Sequence, residues 1–208
     1  DSYRSTIFHN EYTVLHSQFR CSGSDSYIKF LEYILGMNSR SVPCDELEYD
    51  LKLYDDPVKM RNDLYEKNKI NNRSRMLAGY CWEWKTKYRT SDIYDIILPN
   101  GFKAKWNFND NSRIWAIDEN SFYQVGCIHT SQGLEFDHVG VIIGKDLRYQ
   151  NNKVITDPSV HPKDDMSFID GSGRKCSAEL ADLIIRNTYK VLMTRGQKGC
   201  YVYCEDKA

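Results

Sequence analysis

Residues 124–144, QVGCIHTSQGLEFDHVGVIIG, carry the pattern that decides the fold. Two apolar runs, residues 124–129 and 138–143, contain many β-branched residues and predict two strands. Polar residues and Gly133 separate these runs, and a glycine permits a close approach of the backbone at that point. This stretch therefore predicts two buried strands that flank a loop with hydroxyl, amide and carboxylate side chains.

Strands and helices alternate on both sides of this stretch. Further strands are predicted at residues 12–20, 49–54, 75–82 and 199–204. Helices are predicted from the Ser24-Asp25 cap to Gly36, from Asp55-Asp56-Pro57 to about Lys69, and over residues 177–193. Hairpins are predicted over residues 94–106, around Asn100-Gly101, and over residues 147–156, around Asn151-Asn152. Residues 157–175 predict a long loop. The order predicts one α/β domain over residues 1–208, with a mainly parallel sheet, flanking helices and hairpin insertions.

The composition excludes several classes of protein. The chain has 208 residues with 28 Lys and Arg against 29 Asp and Glu, so a globally basic nucleic-acid binder is excluded. A hydrophobic content of 41% is too high for a disordered chain. The mean hydropathy is -0.62, and no apolar run is long enough for a membrane span. Seven cysteines without C-x2-C spacing and five scattered histidines predict reduced thiols in a cytoplasmic protein and no metal site.

The charge is unevenly distributed along the chain. Residues 59–89 hold nine basic and three acidic residues, whereas residues 40–56 hold two basic and six acidic ones. Aromatic residues interleave with the basic ones, a composition that suits single-stranded nucleic acid. The candidate contacts are Trp84, Lys85, Lys87 and Arg89. An alternative remains open, in which the lysines form a solvated helix face and the aromatic residues belong to the core.

Three short blocks carry the chemistry: QFR at residues 18–20, HTSQGLEF at 129–136 and YKVLMTRG at 189–196. Arg20 precedes a capped helix, and Arg195 follows a long apolar one, where a guanidinium can neutralise charge on a transferring phosphoryl group. Glu135 can accept a ribose hydroxyl. Taken singly, each block has a plain alternative: a surface ion pair, a polar turn and a helix C-cap.

Together, the three blocks resemble the C-terminal motifs four, five and six of superfamily 1 helicases. The longer stretches CIHTSQGLEFDHVGVIIG and NTYKVLMTRGQKGCYVYC resemble a bacterial helicase-like ATPase family of unknown function, which is related to the C-terminal helicase-like part of Schlafen proteins. The block AGYCWEW at residues 78–84 is similar to a further signature of that family. The resemblance extends from about Tyr12 to Cys204.

The resemblance implies roles for particular residues and a second RecA-like domain of the P-loop NTPase architecture. Arg20 and Arg195 are the implied catalytic contacts to the γ-phosphate of ATP, with Arg195 as the arginine finger. The implied nucleotide contacts are Gln132, Gly133, Glu135 and Thr194. The implied nucleic-acid contacts in the same motifs are His129 and Thr130.

A phosphate-binding loop of the form G-x-x-x-x-G-K-[ST] does not occur in the sequence. The nearest match, residues 140–146, has one residue too few between its glycines, and Asp146 replaces the hydroxyl residue. In the resembled family, this loop and the magnesium-binding acids belong to the N-terminal RecA-like domain. We therefore expect a chain cut before Asp1 from a two-domain motor, which needs its own N-terminal domain to use ATP and Mg²⁺ and hydrolyses no ATP alone.

Three functions remain open at this point. The first is the C-terminal motor domain of an ATP-dependent DNA or RNA helicase or translocase. The second is a nucleotide-gated regulatory or nucleic-acid-binding module that unwinds nothing. The third is a binding domain in which Arg20 and Arg195 are structural. Convergence of the two arginines and Glu135 at one side of the sheet distinguishes the third function from the other two.

Overall fold

The computed structural model describes residues 20–43, 47–88, 93–108, 114–163 and 165–207. Within these ranges the chain forms nine strands and three α-helices. The strands are β1 (Asp50–Tyr54), β2 (Ser74–Ala78), β3 (Ile96–Ile97), β4 (Lys103–Ala104), β5 (Val125–Gly126), β6 (Phe136–Ile143), β7 (Leu147–Gln150), β8 (Lys153–Thr156) and β9 (Gly196–Cys204). The helices are α1 (Asp25–Ile34), α2 (Pro57–Asn71) and α3 (Ala178–Met193).

The main sheet has five strands in the order β1-β9-β6-β2-β5, and every pair within it is parallel. Parallel neighbours need crossover connections, and two successive pairs of main-sheet strands, β2–β5 and β6–β9, are joined in this way. Strand β6 lies at the centre and pairs with β9 and β2. The parallel α/β fold expected from the alternation of strands and helices is confirmed.

All three predicted helices form, and each begins at a polar cap. The hydroxyl of Ser24 accepts the N–H of Tyr27, and the hydroxyl of Ser177 begins α3 in the same way. The carboxylate of Asp56 accepts the N–H of Val58 at 2.8 Å, and Pro57 occupies the first turn of α2. These caps satisfy backbone donors that the first helical turn leaves without partners.

The helices cover both faces of the sheet, as the alternation of side chains along β6 and β9 requires. Val139, Val141, Cys200 and Val202 point into the core that the sheet shares with α1 and α3. The second core lies on the opposite face, where the sheet packs against α2 and the β3–β4 hairpin. Its members include Tyr54, Met60, Leu64, Met76, Ala78, Ile96, Phe102, Ala104, Val125, Ile142, Tyr201 and Tyr203.

Both predicted hairpins form as small antiparallel pairs outside the main sheet, β3–β4 and β7–β8. Asn100 has a φ of 59°, and Asn151 and Asn152 have φ values of 52° and 59°. The two-residue turn between Gln150 and Lys153 requires this left-handed conformation, and the longer turn at Asn100 also uses it. Asparagine adopts this conformation more readily than most residues.

Several predicted strand boundaries are wrong. The strand predicted to Trp82 ends at Ala78, because Ala78 pairs with Ile142 and β6 ends one residue later. The strand predicted to His129 ends at Gly126, since side chains of the following loop take the backbone groups of Cys127. Strands β6 and β9 both begin earlier than predicted.

The remaining predicted elements are the N-terminal strand and the long loop. Most of the strand predicted over residues 12–20 lies outside the described residues. Arg20 itself opens a 3₁₀ turn, Arg20–Gly23. In the described part of residues 157–175, the predicted loop is confirmed apart from the short 3₁₀ turn Pro158–Val160 and one isolated bridge between Ile169 and Lys175.

Candidate nucleotide and nucleic-acid sites

The second and third sequence blocks meet where β6 and β9 begin. In the parallel register, Phe136 lies opposite Gly196, so Glu135 and Arg195 each immediately precede one of two neighbouring strands. The N–H of Phe136 donates a hydrogen bond of 2.9 Å to the carbonyl of Arg195. We call the region formed by residues 20–23, 134–135 and 194–195 the arginine edge.

The side chain of Arg195 lies across the arginine edge and is only 9% exposed. Its Nη1 donates to the carbonyl of Leu134 at 3.4 Å, which links the two motifs a second time. The neighbouring Thr194 ends α3, and its hydroxyl donates to the carbonyl of Val191 at 3.1 Å. The hydroxyl of Thr194 thus closes its own helix, while Arg195 is the charged group of the pair.

The turn Arg20–Gly23 is attached to the start of β9. The N–H of Ser22 donates to the side-chain oxygen of Gln197 at 3.2 Å, and its hydroxyl donates to the carbonyl of Gln197 at 2.8 Å. The thiol of Cys21 donates to the carbonyl of Thr194 at 3.7 Å. The backbone of Arg20 therefore enters the arginine edge, although its side chain lies outside what the structure describes.

Strain accompanies this attachment. Cys21 and Ser22 have φ values of 51° and 54°, in the left-handed region. Each such residue costs about 1–2 kcal/mol when it is not glycine. Backbone strain of this kind persists only where surrounding contacts hold it, here those to Gln197 and Thr194.

The loop of residues 127–135 crosses the sheet from the carboxyl end of β5 to the amino end of β6. At its beginning, the hydroxyl of Thr130 accepts the N–H of Cys127 at 2.7 Å, and Ser131 donates to the carbonyl of Cys127 at 2.9 Å. Thr130 therefore shapes the loop through its hydroxyl. Gln132, Gly133 and Glu135 are all exposed.

Gly133 has a φ of +72°, and glycine adopts this conformation without steric cost. The loop thus presents the exposed amide of Gln132, then the unhindered backbone of Gly133, then the carboxylate of Glu135, which is nearest to the arginine edge. This order of groups suits contacts with a polar ligand that lies against that edge.

At the opposite, carboxyl edge of the sheet, several aromatic rings line a cavity of about 430 Å³. The ring centroids of Tyr80 and Trp106 are 4.8 Å apart, and those of Tyr80 and His129 are 5.9 Å apart. Burial and the adjacent Cys127 raise the pKa of Tyr80, so its hydroxyl stays protonated at neutral pH. We call this cavity the aromatic groove; its lining residues are Tyr80, Trp82, Trp84, Trp106, His129, Pro162, Asp165, Met166 and Ser167.

Part of the basic segment is paired with acids within the fold. Four of its nine cations contact carboxylates, in the pairs Lys59–Asp63, Lys67–Asp50, Lys69–Glu66 and Arg73–Asp137. Lys85 is exposed and lines a second cavity together with Trp84 and Lys163. The side chain of Lys87 and the whole of Arg89 lie outside the described residues. The ion pairs on α2 favour the alternative of a solvated helix face for that part of the basic segment.

Arg75 is a buried residue that the charge pattern counted among the surface cations. It is 0% exposed and lies on β2, between β6 and β5, where burial lowers its pKa to about 10. Its guanidinium donates to the side chains of Asn68 and Ser121 and to the carbonyls of Asn72, Ser74, Trp115 and Asp118. Arg75 thus anchors the segment around Trp115 to the sheet and makes no surface for nucleic acid.

The near-match to a phosphate-binding loop forms no phosphate cradle. A Cβ atom added at Gly144 would lie 2.6 Å from the sulfur of Cys81, so a side chain already fills that space. Asp146 is 2% exposed and accepts a hydrogen bond from Tyr189 at 2.5 Å. The absence of a phosphate-binding motif in the sequence thus agrees with the geometry at residues 144–146.

Comparisons with known proteins agree with this architecture. A parallel sheet with these helices and hairpins is that of a helicase RecA-like domain. The chain belongs to the Schlafen group 3 DNA/RNA helicase domain family, whose sequence model matches residues 2–206. The resemblance to Schlafen helicase-like domains is therefore confirmed.

One curated relative is an uncharacterized protein of Saccharomyces cerevisiae, with 25% identity over 181 residues. The match covers 85% of this chain and 39% of the yeast protein, so the chain spans well under half the length of that relative. No solved structure matches the chain. None of the helices in the described ranges has the length and apolar character needed to cross a membrane.

Proposed function

We propose that this domain supplies one half of an ATP site and that Arg195 acts there as an arginine finger. In this proposal, the other half is an N-terminal RecA-like domain that binds the phosphates and Mg²⁺. The energy of hydrolysis then drives movement along DNA or RNA. The proposal goes beyond membership of the helicase family, because it assigns roles to particular side chains.

The observation that carries the proposal is the junction at the arginine edge. Arg195, Glu135 and the backbone of Arg20 come from three distant parts of the chain and converge where β6 and β9 begin. A guanidinium and a carboxylate at one edge match the phosphate and ribose ends of a nucleotide. The position of Arg195 next to Glu135 also counts against a purely structural role for Arg195.

The groups at this edge fit ATP as a partial site. Arg195 can neutralise charge that develops on the γ-phosphate, and Glu135 can accept a ribose hydroxyl. Gln132, Gly133 and Thr194 complete the nucleotide contacts that we assign, with Gly133 offering its backbone. Mg²⁺ bound to the phosphates supplies further charge neutralisation, and we assign its protein ligands to the N-terminal domain.

We assign the nucleic-acid contact to the aromatic groove and its rim. Aromatic faces stack on unpaired bases, and cations beside them follow the phosphates. Trp84 and His129 line the groove, and Lys85 lies exposed beside it. Lys87, Arg89 and Thr130 complete the assigned contacts.

The loop of residues 127–135 provides a physical link between the two sites. His129 lies in the aromatic groove, and Glu135 lies at the arginine edge. Strand β6, which has eight residues, spans about 25 Å between these edges. A shift of this loop when ATP is hydrolysed would therefore also move His129 in the aromatic groove.

One observation favours a second candidate, a nucleotide-gated binding module that does not unwind duplexes. Arg195 is largely buried and bonded to Leu134, so it holds two motifs together in addition to facing a ligand. An arginine in this position can change the conformation of the 127–135 loop when a nucleotide binds. This response needs no ATP-driven movement along nucleic acid. Duplex unwinding by the complete natural protein distinguishes the two candidates.

The test compares ATP hydrolysis by the 208-residue chain with that by the complete natural protein, each with and without single-stranded nucleic acid. We expect the chain alone to hydrolyse no ATP and the complete protein to show stimulated hydrolysis. Stimulated hydrolysis by the chain alone would contradict the division of the ATP site between two domains.

A further inference from the structure

Three loops bring a cysteine, an aspartate and a histidine together beside the aromatic groove. Cys81 follows β2, Asp146 follows β6, and His161 follows the 3₁₀ turn Pro158–Val160. Their sulfur, carboxylate and ring nitrogen atoms all lie within 4.8 Å of one another. The sequence predicted no metal site, because these residues are separated by 65 and 15 positions and form no recognised spacing.

The three ligand atoms have nearly the separations that a tetrahedral metal ion needs. The Oδ2 of Asp146 and the Nε2 of His161 are 2.9 Å apart. Zinc bonds of about 2.0–2.3 Å place tetrahedral ligand atoms roughly 3.3–3.8 Å from one another. Side-chain movements of about 1 Å would therefore bring Cys81, Asp146 and His161 into coordination.

A second set of hydrogen bonds orients two of these side chains. The Nδ1 of His161 lies 2.6 Å from the carboxylate of Asp165, so its Nε2 is directed towards Asp146 and Cys81. Tyr189 donates to the other oxygen of Asp146 at 2.5 Å and accepts the N–H of Gly144 at 3.0 Å. A carboxylate behind the histidine is the partner that metal-bound histidines usually have.

The cluster is buried but accessible from one side. The side chains of His161, Asp146 and Asp165 are 7%, 2% and 4% exposed. Cys81 and His161 line a cavity of about 640 Å³, which leads from the cluster to solvent. Gly144 makes the arrangement possible, since any larger residue there would collide with Cys81.

We propose that Cys81, Asp146 and His161 bind one Zn²⁺ ion, with a fourth position open towards this cavity. Thiolate, imidazole and carboxylate together form a ligand set that zinc accepts, whereas Mg²⁺ and Ca²⁺ prefer oxygen alone. The ion would fasten the loop around His161 to the ends of β2 and β6. It would thereby hold one wall of the aromatic groove, including Pro162 and Asp165, in place.

The first experiment needs no variant. The 208-residue chain is freed of metal with a chelator and titrated with Co²⁺, a probe whose visible spectrum reports its coordination number. We expect one Co²⁺ per chain, a tetrahedral visible spectrum with a thiolate charge-transfer band, and displacement by Zn²⁺. A spectrum of the six-coordinate aqueous ion throughout the titration would overturn the proposal.

Variants then identify the ligands. Cys81→Ser should abolish the thiolate band, whereas Cys176→Ser should leave it unchanged, because Cys176 lies outside the cluster. Asp165→Asn should weaken Zn²⁺ binding by about 10–100-fold without removing a ligand. A thiolate band that persists in Cys81→Ser, or unchanged affinity in Asp165→Asn, would contradict the assignment. Each apo variant is first compared with the wild type by circular dichroism to establish that it folds.

Discussion

The N–H of Phe136 and the carbonyl of Arg195 form a hydrogen bond of 2.9 Å between residues that are 59 positions apart. This bond extends the ladder between β6 and β9 by one step beyond the paired Phe136 and Gly196. Because the ladder begins there, Glu135 and Arg195 are held at one edge of the sheet. The pairing of β6 with β9 therefore positions the two charged groups of the proposed nucleotide site.

Arg195→Ala should abolish ATP turnover in the complete natural protein while sparing much of its nucleotide affinity. An arginine finger contributes about 10³–10⁵-fold to the rate of phosphoryl transfer, mainly by stabilising charge that develops in the transition state. Steady-state hydrolysis and equilibrium nucleotide binding measure the two effects separately. Arg174→Ala is the control, because Arg174 is an exposed loop residue with the same charge. Full turnover in Arg195→Ala would show that the arginine has a different role.

Replacing Lys85, Lys87 and Arg89 with glutamate should weaken single-stranded nucleic-acid binding and reduce its dependence on salt. Each lost phosphate contact lowers the slope of log K against log salt concentration by about 0.7 for single strands. Binding measured at several salt concentrations gives this slope. The control replaces three exposed lysines elsewhere on the chain with glutamate: Lys29, Lys153 and Lys175. The two triple variants should differ; equal slopes would remove residues 85–89 from the interface.

Arg75→Met should destabilise the fold by about 3 kcal/mol or more. The substitution removes six hydrogen bonds of the guanidinium, four of them in buried positions, and each buried group that it leaves unsatisfied costs about 1–3 kcal/mol. Chemical denaturation of the 208-residue chain measures the free energy of unfolding. Lys69→Met removes an exposed ion pair on α2 and should leave the free energy of unfolding nearly unchanged, because exposed ion pairs contribute little to stability. Similar values for both variants would indicate that Arg75 is not an anchor.

Asp137 should contribute to stability at neutral pH and lose that contribution in acid. Burial alone would raise its pKa, but hydrogen bonds from Lys198 and Asn71 and the charges of Lys198 and Arg73 hold the pKa below its usual value. A depressed pKa in the folded state means that the stabilisation is present above the unfolded pKa of about 3.9 and disappears as pH falls through the folded value.

We therefore expect Asp137→Asn to lower the free energy of unfolding by about 1–2 kcal/mol above pH 5, with the difference shrinking below about pH 4. Urea denaturation at a series of pH values on both sides of this transition measures the difference in the free energy of unfolding. Asp55→Asn is the matched control, because the side chain of Asp55 is fully exposed. A difference for Asp137→Asn that stayed constant with pH would exclude ionisation of this carboxyl as its source.

Local features of the fold were predictable because their causes lie within a few residues. Ser24, Asp56 and Ser177 each cap a helix through a hydroxyl or carboxylate two or three positions before the N–H that it accepts. The Asn100-Gly101 and Asn151-Asn152 turns depend on residues that tolerate positive φ. The end of β2 was predicted wrongly because it depends on pairing with the distant strand β6. The end of β5 was predicted wrongly because the side chains of Thr130 and Ser131 bond the backbone of Cys127.

The sequence by itself determined the alternation of strands and helices, the hairpins, and the three motifs whose resemblance indicates a helicase domain. Only the tertiary structure decided the strand order β1-β9-β6-β2-β5, and with it the meeting of Glu135 and Arg195 at one edge. It also buried Arg75 and brought Cys81, Asp146 and His161 together. The physical reason is that burial and proximity arise from crossover connections between distant segments, whereas a local pattern records only how each segment prefers to fold.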